Sequence, residues 1–223
     1  MIYLFLITNS IATHFLKKYI LFLDTETSDL PTKWDKKYSD IQNWPHVLQL
    51  AWIIFDMEIN EIKRTNKYIY EPLIPISRES EKIHGLTPHF LRENGDNKKN
   101  VLRKLAHDLK KYNPLIVGHF LSFDLQVLCA EFVRVKLPIP FEQFRYFCTL
   151  WHSKKYVRNP NMVYMNLALL HEALFTTLPE NMHHAEKDAE ITAKCYFEMI
   201  RRNELSIADV ENQQAQFLPI FQP

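Results

Sequence analysis

The chain has only three cysteines in 223 residues, and Cys129, Cys148 and Cys195 lie far apart. They match neither a disulfide framework nor a paired-thiol zinc site, so a reducing compartment, the cytoplasm, is the expected home. Net charge is nearly absent as well. The 27 basic and 26 acidic side chains leave +1 at pH 7, which excludes a basic coat over the whole surface but leaves room for a local cationic groove. No apolar run is long enough to span a bilayer, so no membrane partner is expected. The apolar start, Met1 to Ile7, has no basic residues ahead of it. Lys17 and Lys18 follow it instead, which argues against an export signal. Residues 1–17 are read as an N-terminal extension, and no internal repeat is visible.

What is present suits one globular domain: 47% hydrophobic and 24% charged residues, enough to close a single core. The segment that organises the chain is Ile20-Leu21-Phe22-Leu23-Asp24-Thr25-Glu26-Thr27. Four apolar residues read as a buried strand that runs into two carboxylates. A strand repeats its faces every two residues, so Asp24 and Glu26 point the same way. Like charges side by side at the end of a core strand repel, and a fold that keeps them usually places a cation there. Taken alone, the segment reads more simply as the polar exit of an edge strand.

Hydrophobic patterning predicts strands at 20–24, 47–56, 62–71, 115–118 and 144–148, the first three forming an antiparallel ribbon. Helices are expected at 98–112, after Asp124 to about Val135, at 163–174 and at 185–202. A helical turn at 80–84 breaks at Gly85 and restarts beyond Pro88. Residues 28–46 read as a long connection carrying Trp34 and Trp44, packed against the body or, on a loop near the acids, able to stack on a base. The basic face of the 98–112 helix, Lys98, Lys99, Arg103, Lys104, Lys110 and Lys111, reads as solvated. Strands first and helix–strand alternation later give an α/β class with a mixed sheet covered by helices. Asp124 falls just past a core strand, behind Gly118, where open α/β sheets put their ligands. Asp188 falls near the start of the last helix, with His183 and His184 on the loop before it.

Four segments in this order resemble one family. Asp24-Thr25-Glu26-Thr27, Gly118-His119-Phe120-Leu121-Ser122-Phe123-Asp124, His183 followed five residues later by Asp188-Ala189, and Ile83-His84-Gly85-Leu86-Thr87 are similar to the motifs of the DnaQ-like 3′–5′ exonuclease superfamily. The branch is the one with four acidic ligands and a histidine (DEDDh), and the nearest members are the proofreading epsilon subunits of bacterial DNA polymerase III. The resemblance covers about residues 19–203. It implies a ribonuclease H-like, mixed five-stranded sheet in an exonuclease domain at 18–203, with a C-terminal tail at 204–223. The chain departs from the pattern at Asp29, near a usual glycine, at Phe120 for asparagine, at Gln49 for glutamate and at Glu186 for leucine. None of these removes a catalytic group.

The implied activity is metal-dependent hydrolysis at the 3′ end of DNA. Two Mg2+ ions about 4 Å apart, replaceable by Mn2+, would neutralise the phosphate and activate water. The resemblance assigns Asp24, Glu26 and Asp188 to one ion, with Asp24 shared, and Asp124 to the other. His183 is expected as general base, with His184 as its rival. Thr25, Thr27, His84, Gly85 and Phe123 are expected at the substrate, and Lys154, Lys155 and Arg158 near phosphates. A single-stranded or frayed 3′ end of DNA is the expected partner, with RNA as the alternative and a DNA polymerase catalytic subunit as a candidate. The rivals are an exoribonuclease that trims RNA ends and a non-catalytic, polymerase-accessory module. Gln213 to Leu218 bears a weak likeness to a sliding-clamp peptide.

Overall fold

A computed structural model describes residues 17–180 and 182–221, so the extension read at 1–17 lies almost wholly outside the described residues. The strands are β1 (Tyr19–Thr27), β2 (Val47–Asp56), β3 (Glu61–Tyr70), β4 (Asp96–Asn97), β5 (Leu115–Gly118) and β6 (Arg145–Cys148). They form one sheet in the order β4-β3-β2-β1-β5-β6. β1, β2 and β3 are antiparallel neighbours, while β5 runs parallel to β1 and β6 parallel to β5. This is the expected ribonuclease H-like mixed sheet, with five strands as predicted and β4, a two-residue edge beside Ile69 and Tyr70, added.

β1 runs further than its apolar pattern suggested. Asp24 stands opposite Ala51 and Glu26 opposite Gln49, so backbone pairing with β2 carries the strand through both acids. Alternation then sorts its side chains. Leu21 and Leu23 pack against α3 (Lys98–Tyr112) and α4 (Leu121–Arg134), through Leu102, Leu105, Leu125 and Leu128. Ile20 and Phe22 pack on the other face against α7 (Ala185–Arg201), through Ala189, Ala193 and Tyr196. Two helical layers therefore approach the carboxyl end of β1 from opposite sides.

The helical turn expected at 80–84 is α1 (Arg78–His84), and the restart is α2 (Pro88–Asn94). Gly85 closes α1 with φ +72°, a left-handed conformation that favours glycine. Gly118 is needed for a different reason. A Cβ there would lie 3.1 Å from the Leu23 carbonyl oxygen and 2.9 Å from Leu121 Cδ1, so β5 could not turn into α4 this close to β1. Short helical turns at Thr149–His152 (α5) and Ser153–Tyr156 follow β6. The helix predicted at 163–174 starts later, as α6 (Leu167–Phe175). The Asn166 side chain accepts the Leu169 N–H and fixes the start there.

The segment after 204 forms α8 (Ile207–Phe217) and a final turn, with Phe217, Ile220 and Phe221 in the core beside Tyr146. Gln213 and Gln214 line the free edge of β6. Their carbonyls accept the Cys148 and Tyr146 N–H groups at 2.7 and 3.0 Å, and their amides donate to the carbonyls of the same two residues at 3.2 and 2.7 Å. Side chains here do what a neighbouring strand would do for an exposed edge. The stretch compared with a clamp peptide is engaged in the fold. No helix among the described residues is long and apolar enough to cross a membrane.

Candidate active site

The acids meet at the end of β1. Carboxylate oxygens of Asp24, Glu26 and Asp188 all lie within 4.8 Å of one another. Asp24 and Glu26 share the face that looks toward α7, and Asp188 stands in that helix's first turn, where the helix dipole favours an anion. Asp124 arrives from the opposite layer, in the first turn of α4, and lies outside that triangle. Thr25, the residue between the two β1 acids, faces its way and donates its hydroxyl to Asp124 Oδ1 at 2.7 Å. One strand thus holds two acids for one helix and a hydrogen-bond donor for the acid of the other.

The electrostatics follow from burial with no lysine or arginine set against the acids. Burial, then repulsion from Asp124, Asp188 and Glu26, holds the Asp24 carboxyl well above the ordinary range. Burial and the charges of Asp188 and Asp124 push Glu26 up to about 8. Burial raises Asp124 to about 7 against the Thr25 hydrogen bond, and Asp188 to about 6 against the His183 N–H and charge. Among the described residues no lysine or arginine offsets any of the four. Asp188 Oδ1 is buried with no hydrogen-bond partner. Clustered carboxylates with an unused buried oxygen and no lysine or arginine beside them suit a hard divalent cation.

The two histidines part ways. His183 is exposed, with φ +64°, and its backbone N–H donates to Asp188 Oδ2 at 3.2 Å. Its charge acts on both Asp188 and His84. His184 turns to the sheet instead. Tyr68 Oη lies 2.9 Å from its Nε2, and the Gln49 amide lies 3.2 and 3.3 Å from its two ring nitrogens. Gln49 also accepts the Ala185 N–H at 3.3 Å and so ties the start of α7 to β2.

Other sequence candidates have specific placements. The Leu86 N–H donates to His84 Nδ1 at 2.9 Å, so His84 Nε2 donates to the Thr27 carbonyl at 3.2 Å and ties α1 to the end of β1. Burial lowers the His84 pKa, in keeping with a neutral ring. The Thr27 hydroxyl donates to Asp29 O at 2.7 Å. The hydroxyls of Thr25 and Thr27 are therefore engaged within the protein. Phe123 is half-buried next to Asp124. Lys155 is paired with Asp209 at 2.8 Å, while Lys154 and Arg158 are exposed. Trp44 packs inside as expected, at 4% exposure, but Trp34 does not, at 53%. Trp34, expected to be either packed or free to stack on a base, is the open one, and it meets Phe120, which was not expected at the site. Their contact links a loop to a strand–helix turn, and no sequence spacing encodes it.

A family model described as Exonuclease (RNase_T) matches residues 21–196, which hold every acid and histidine of the site. The chain belongs to this exonuclease family. It is a member of the DnaQ-like, DEDDh 3′–5′ exonuclease superfamily. Among solved structures the fold is similar to the nuclease domain of 3'hExo, a DEDDh family member bound to rAMP, with TM-score 0.66 and 14% identity over 85% of this chain and 96% of that one. It is also similar to product-bound exonuclease I, with TM-score 0.66 and 18% identity over 84% of this chain. Exonuclease X in complex with 5′ overhanging duplex DNA gives TM-score 0.57 and 19% identity over 86% of this chain and 98% of that one. The exonuclease spans 44% of the length of the exonuclease I chain it matches. Curated protein sequences gave no match.

Proposed function

We propose that this exonuclease hydrolyses phosphodiester bonds at the 3′ end of DNA and releases nucleoside 5′-monophosphates, with proofreading or repair as its setting. The observation that carries this reading is the convergence of Asp24, Glu26 and Asp188 within 4.8 Å, with Asp124 alongside and, among the described residues, no lysine or arginine offsetting them. Asp24, Glu26 and Asp188 would hold one Mg2+ ion, and Asp124, with Asp24 shared, a second. Mn2+ can substitute for either, and the ions supply charge neutralisation at the phosphate and a more acidic water.

The chain's own residues do the rest. His183, exposed on its loop and tethered by its N–H to Asp188, takes the proton of the attacking water. Thr25 fixes the orientation of Asp124. The His84–Thr27 bond holds α1 and Gly85 beside the end of β1, where the terminal nucleotide would sit. Because the acids lie at a recessed strand end, the terminal nucleotide must leave its complement to reach them, which favours single-stranded or frayed ends. The three free, buried cysteines support a reducing, cytoplasmic setting. The motifs shared with polymerase proofreading subunits support a polymerase catalytic subunit as a partner.

A second reading, trimming of RNA ends, is favoured by the similarity to 3'hExo, whose structure holds rAMP. Digestion of 3′- and 5′-labelled DNA and of a matched RNA oligomer, with Mg2+, Mn2+ or EDTA, tests both. Stepwise loss from the 3′ end of DNA that stops in EDTA is expected. Cleavage that persists in EDTA overturns the metal-dependent reading, and an RNA preference above about tenfold overturns the choice of DNA.

A further inference from the structure

Beside the acids lies a group of aromatic rings that runs from the interior to solvent. Trp44 is 4% exposed, and its indole N–H donates to Lys37 O at 3.0 Å. Phe123, adjacent in sequence to Asp124, packs 6.5 Å from it. Phe120 stacks on Phe123 with centroids 6.0 Å apart and planes 17° from parallel. Trp34 lies 5.7 Å from Phe120 and 5.8 Å from Phe123. The outer two rings stay open, Phe120 at 38% and Trp34 at 53% exposure.

The mount is stiff. The Asn43 side chain bonds both the N–H and the carbonyl of Lys33, at 2.8 and 2.9 Å. Arg134 donates to the carbonyls of Ile41, Trp44 and Pro45. Phe120 adopts φ +67°, a conformation that a bulky side chain takes only when its surroundings impose it. Large rings held open by a braced loop and a strained turn, next to Asp124, offer a preformed π-face beside the acids.

We propose that Trp34 and Phe120 form a stacking ledge that takes one nucleobase of the strand under degradation, so that unpaired 3′ ends are gripped in preference to paired ones. This rests on the exonuclease reading, because the ledge is useful only to a strand whose phosphate lies at Asp24. Stacking on an aromatic side chain accepts any base, so the ledge selects for strandedness rather than sequence.

The test uses the full chain and dT oligomers with one abasic residue moved through the last four positions. For the wild type, one abasic position raises KM about tenfold while kcat moves far less. Trp34→Ala with Phe120→Ala raises KM for the intact oligomer by a similar factor and abolishes the abasic effect, and Trp34→Phe recovers most of the affinity. Should the double variant fail to fold, Trp34→Phe, Phe120→Asn and the abasic series on wild type still read the stacking. If the abasic and ledge losses simply multiply, or neither changes KM, the ledge is overturned while the exonuclease reading stands. Anisotropy of a labelled oligomer on Asp24→Asn protein in Mg2+ separates the two failures. Abasic-sensitive binding there, with no 3′ hydrolysis by the wild type, overturns the exonuclease reading and keeps the ledge.

Discussion

Asp124 and Glu131 stand two turns apart on α4, at 3% and 0% exposure, in opposite electrostatic states. Around Glu131 the chain has gathered two cations, Lys98 Nζ at 2.7 Å and an Arg134 nitrogen at 3.0 Å, with His46 Nδ1 at 3.3 Å and the Val47 N–H at 3.0 Å as further partners. Burial pushes Glu131 up, but His46, Lys98 and Arg134 together outweigh it and hold the carboxyl below its ordinary range. Around Asp124 stand the Thr25 hydroxyl, the backbone N–H groups of Thr25 and Asp124, and other acids, and burial lifts it to about 7. His46, Glu71 and Glu131 have the side-chain types of a metal site, as Asp24, Glu26 and Asp188 do. The first group already contains Lys98 and Arg134, and Lys98 also pairs with Glu71. A cluster of ligand-type residues calls for an ion from solution only where the chain has supplied no cation of its own.

The largest effect that would break this contrast is on turnover. Asp24→Asn should lower kcat by about a thousandfold or more, because charge stabilisation at the phosphate is lost with little change of shape. Glu131→Gln, assayed well below its melting temperature, should leave kcat within a few-fold. Comparable losses in the two variants would mean that the clusters do not have separate roles.

Glu131→Gln should instead strike stability. Removing one partner of a buried ion cluster strands Lys98 and Arg134, at a cost of about 3–5 kcal/mol, read as a fall in the denaturation midpoint at pH 7. A carboxylate held below its ordinary pKa contributes stability above its unfolded-state pKa and loses it as pH falls through the folded value. The gap between wild type and Glu131→Gln should therefore narrow on acidification below about pH 4. A gap that widens there would refute the assignment.

A smaller effect separates the two histidines. His183→Ala should cost about a hundredfold in kcat and remove the limb of the pH–rate profile set by the general base. His184→Ala, losing contacts to Tyr68 and Gln49, should mainly lower stability. If His184→Ala shows the larger kcat loss, the base has been assigned to the wrong ring.

The sequence revealed these features unevenly, for physical reasons. β2 and α3 matched their expected bounds, because a continuous apolar run and a clean helical spacing are each a local signal. Asp24 and Glu26 were legible because strand period alone places them on one face. Lys98 was not, since within a basic run it looks like any solvated lysine. Only the packing of α3 against α4 reveals that it is buried at Glu131. Nor were Gln213 and Gln214, whose amides replace a missing strand at the β6 edge, a role with no periodic signature. Thr25 lies on the face of β1 opposite the two acids and turns its hydroxyl to Asp124, a pairing across layers that strand period alone does not show.

The smallest effect, and the one that sharpens the contrast most, concerns the ion-free protein. Glu26 at about 8, Asp124 at about 7 and Asp188 at about 6 all lie above ordinary carboxylate values near 4, and Asp24 is raised as well. The folded state therefore binds more protons than the unfolded chain between about pH 4 and 8, and stability falls as pH rises through that window. In EDTA the melting temperature should drop from pH 5 to pH 8, and Asp24→Asn, with one repelling charge fewer, should drop less. Mg2+ at about a hundred times its dissociation constant should add about 2.7 kcal/mol to the wild type at pH 8. The gain should shrink at pH 5, where protons compete for the same oxygens, and be much reduced in Asp24→Asn. An equal Mg2+ gain in wild type and Asp24→Asn would place the ion elsewhere. A gain abolished by Glu131→Gln, measured on the folded variant, would mean that the cluster already filled by Lys98 and Arg134 is the one that binds it.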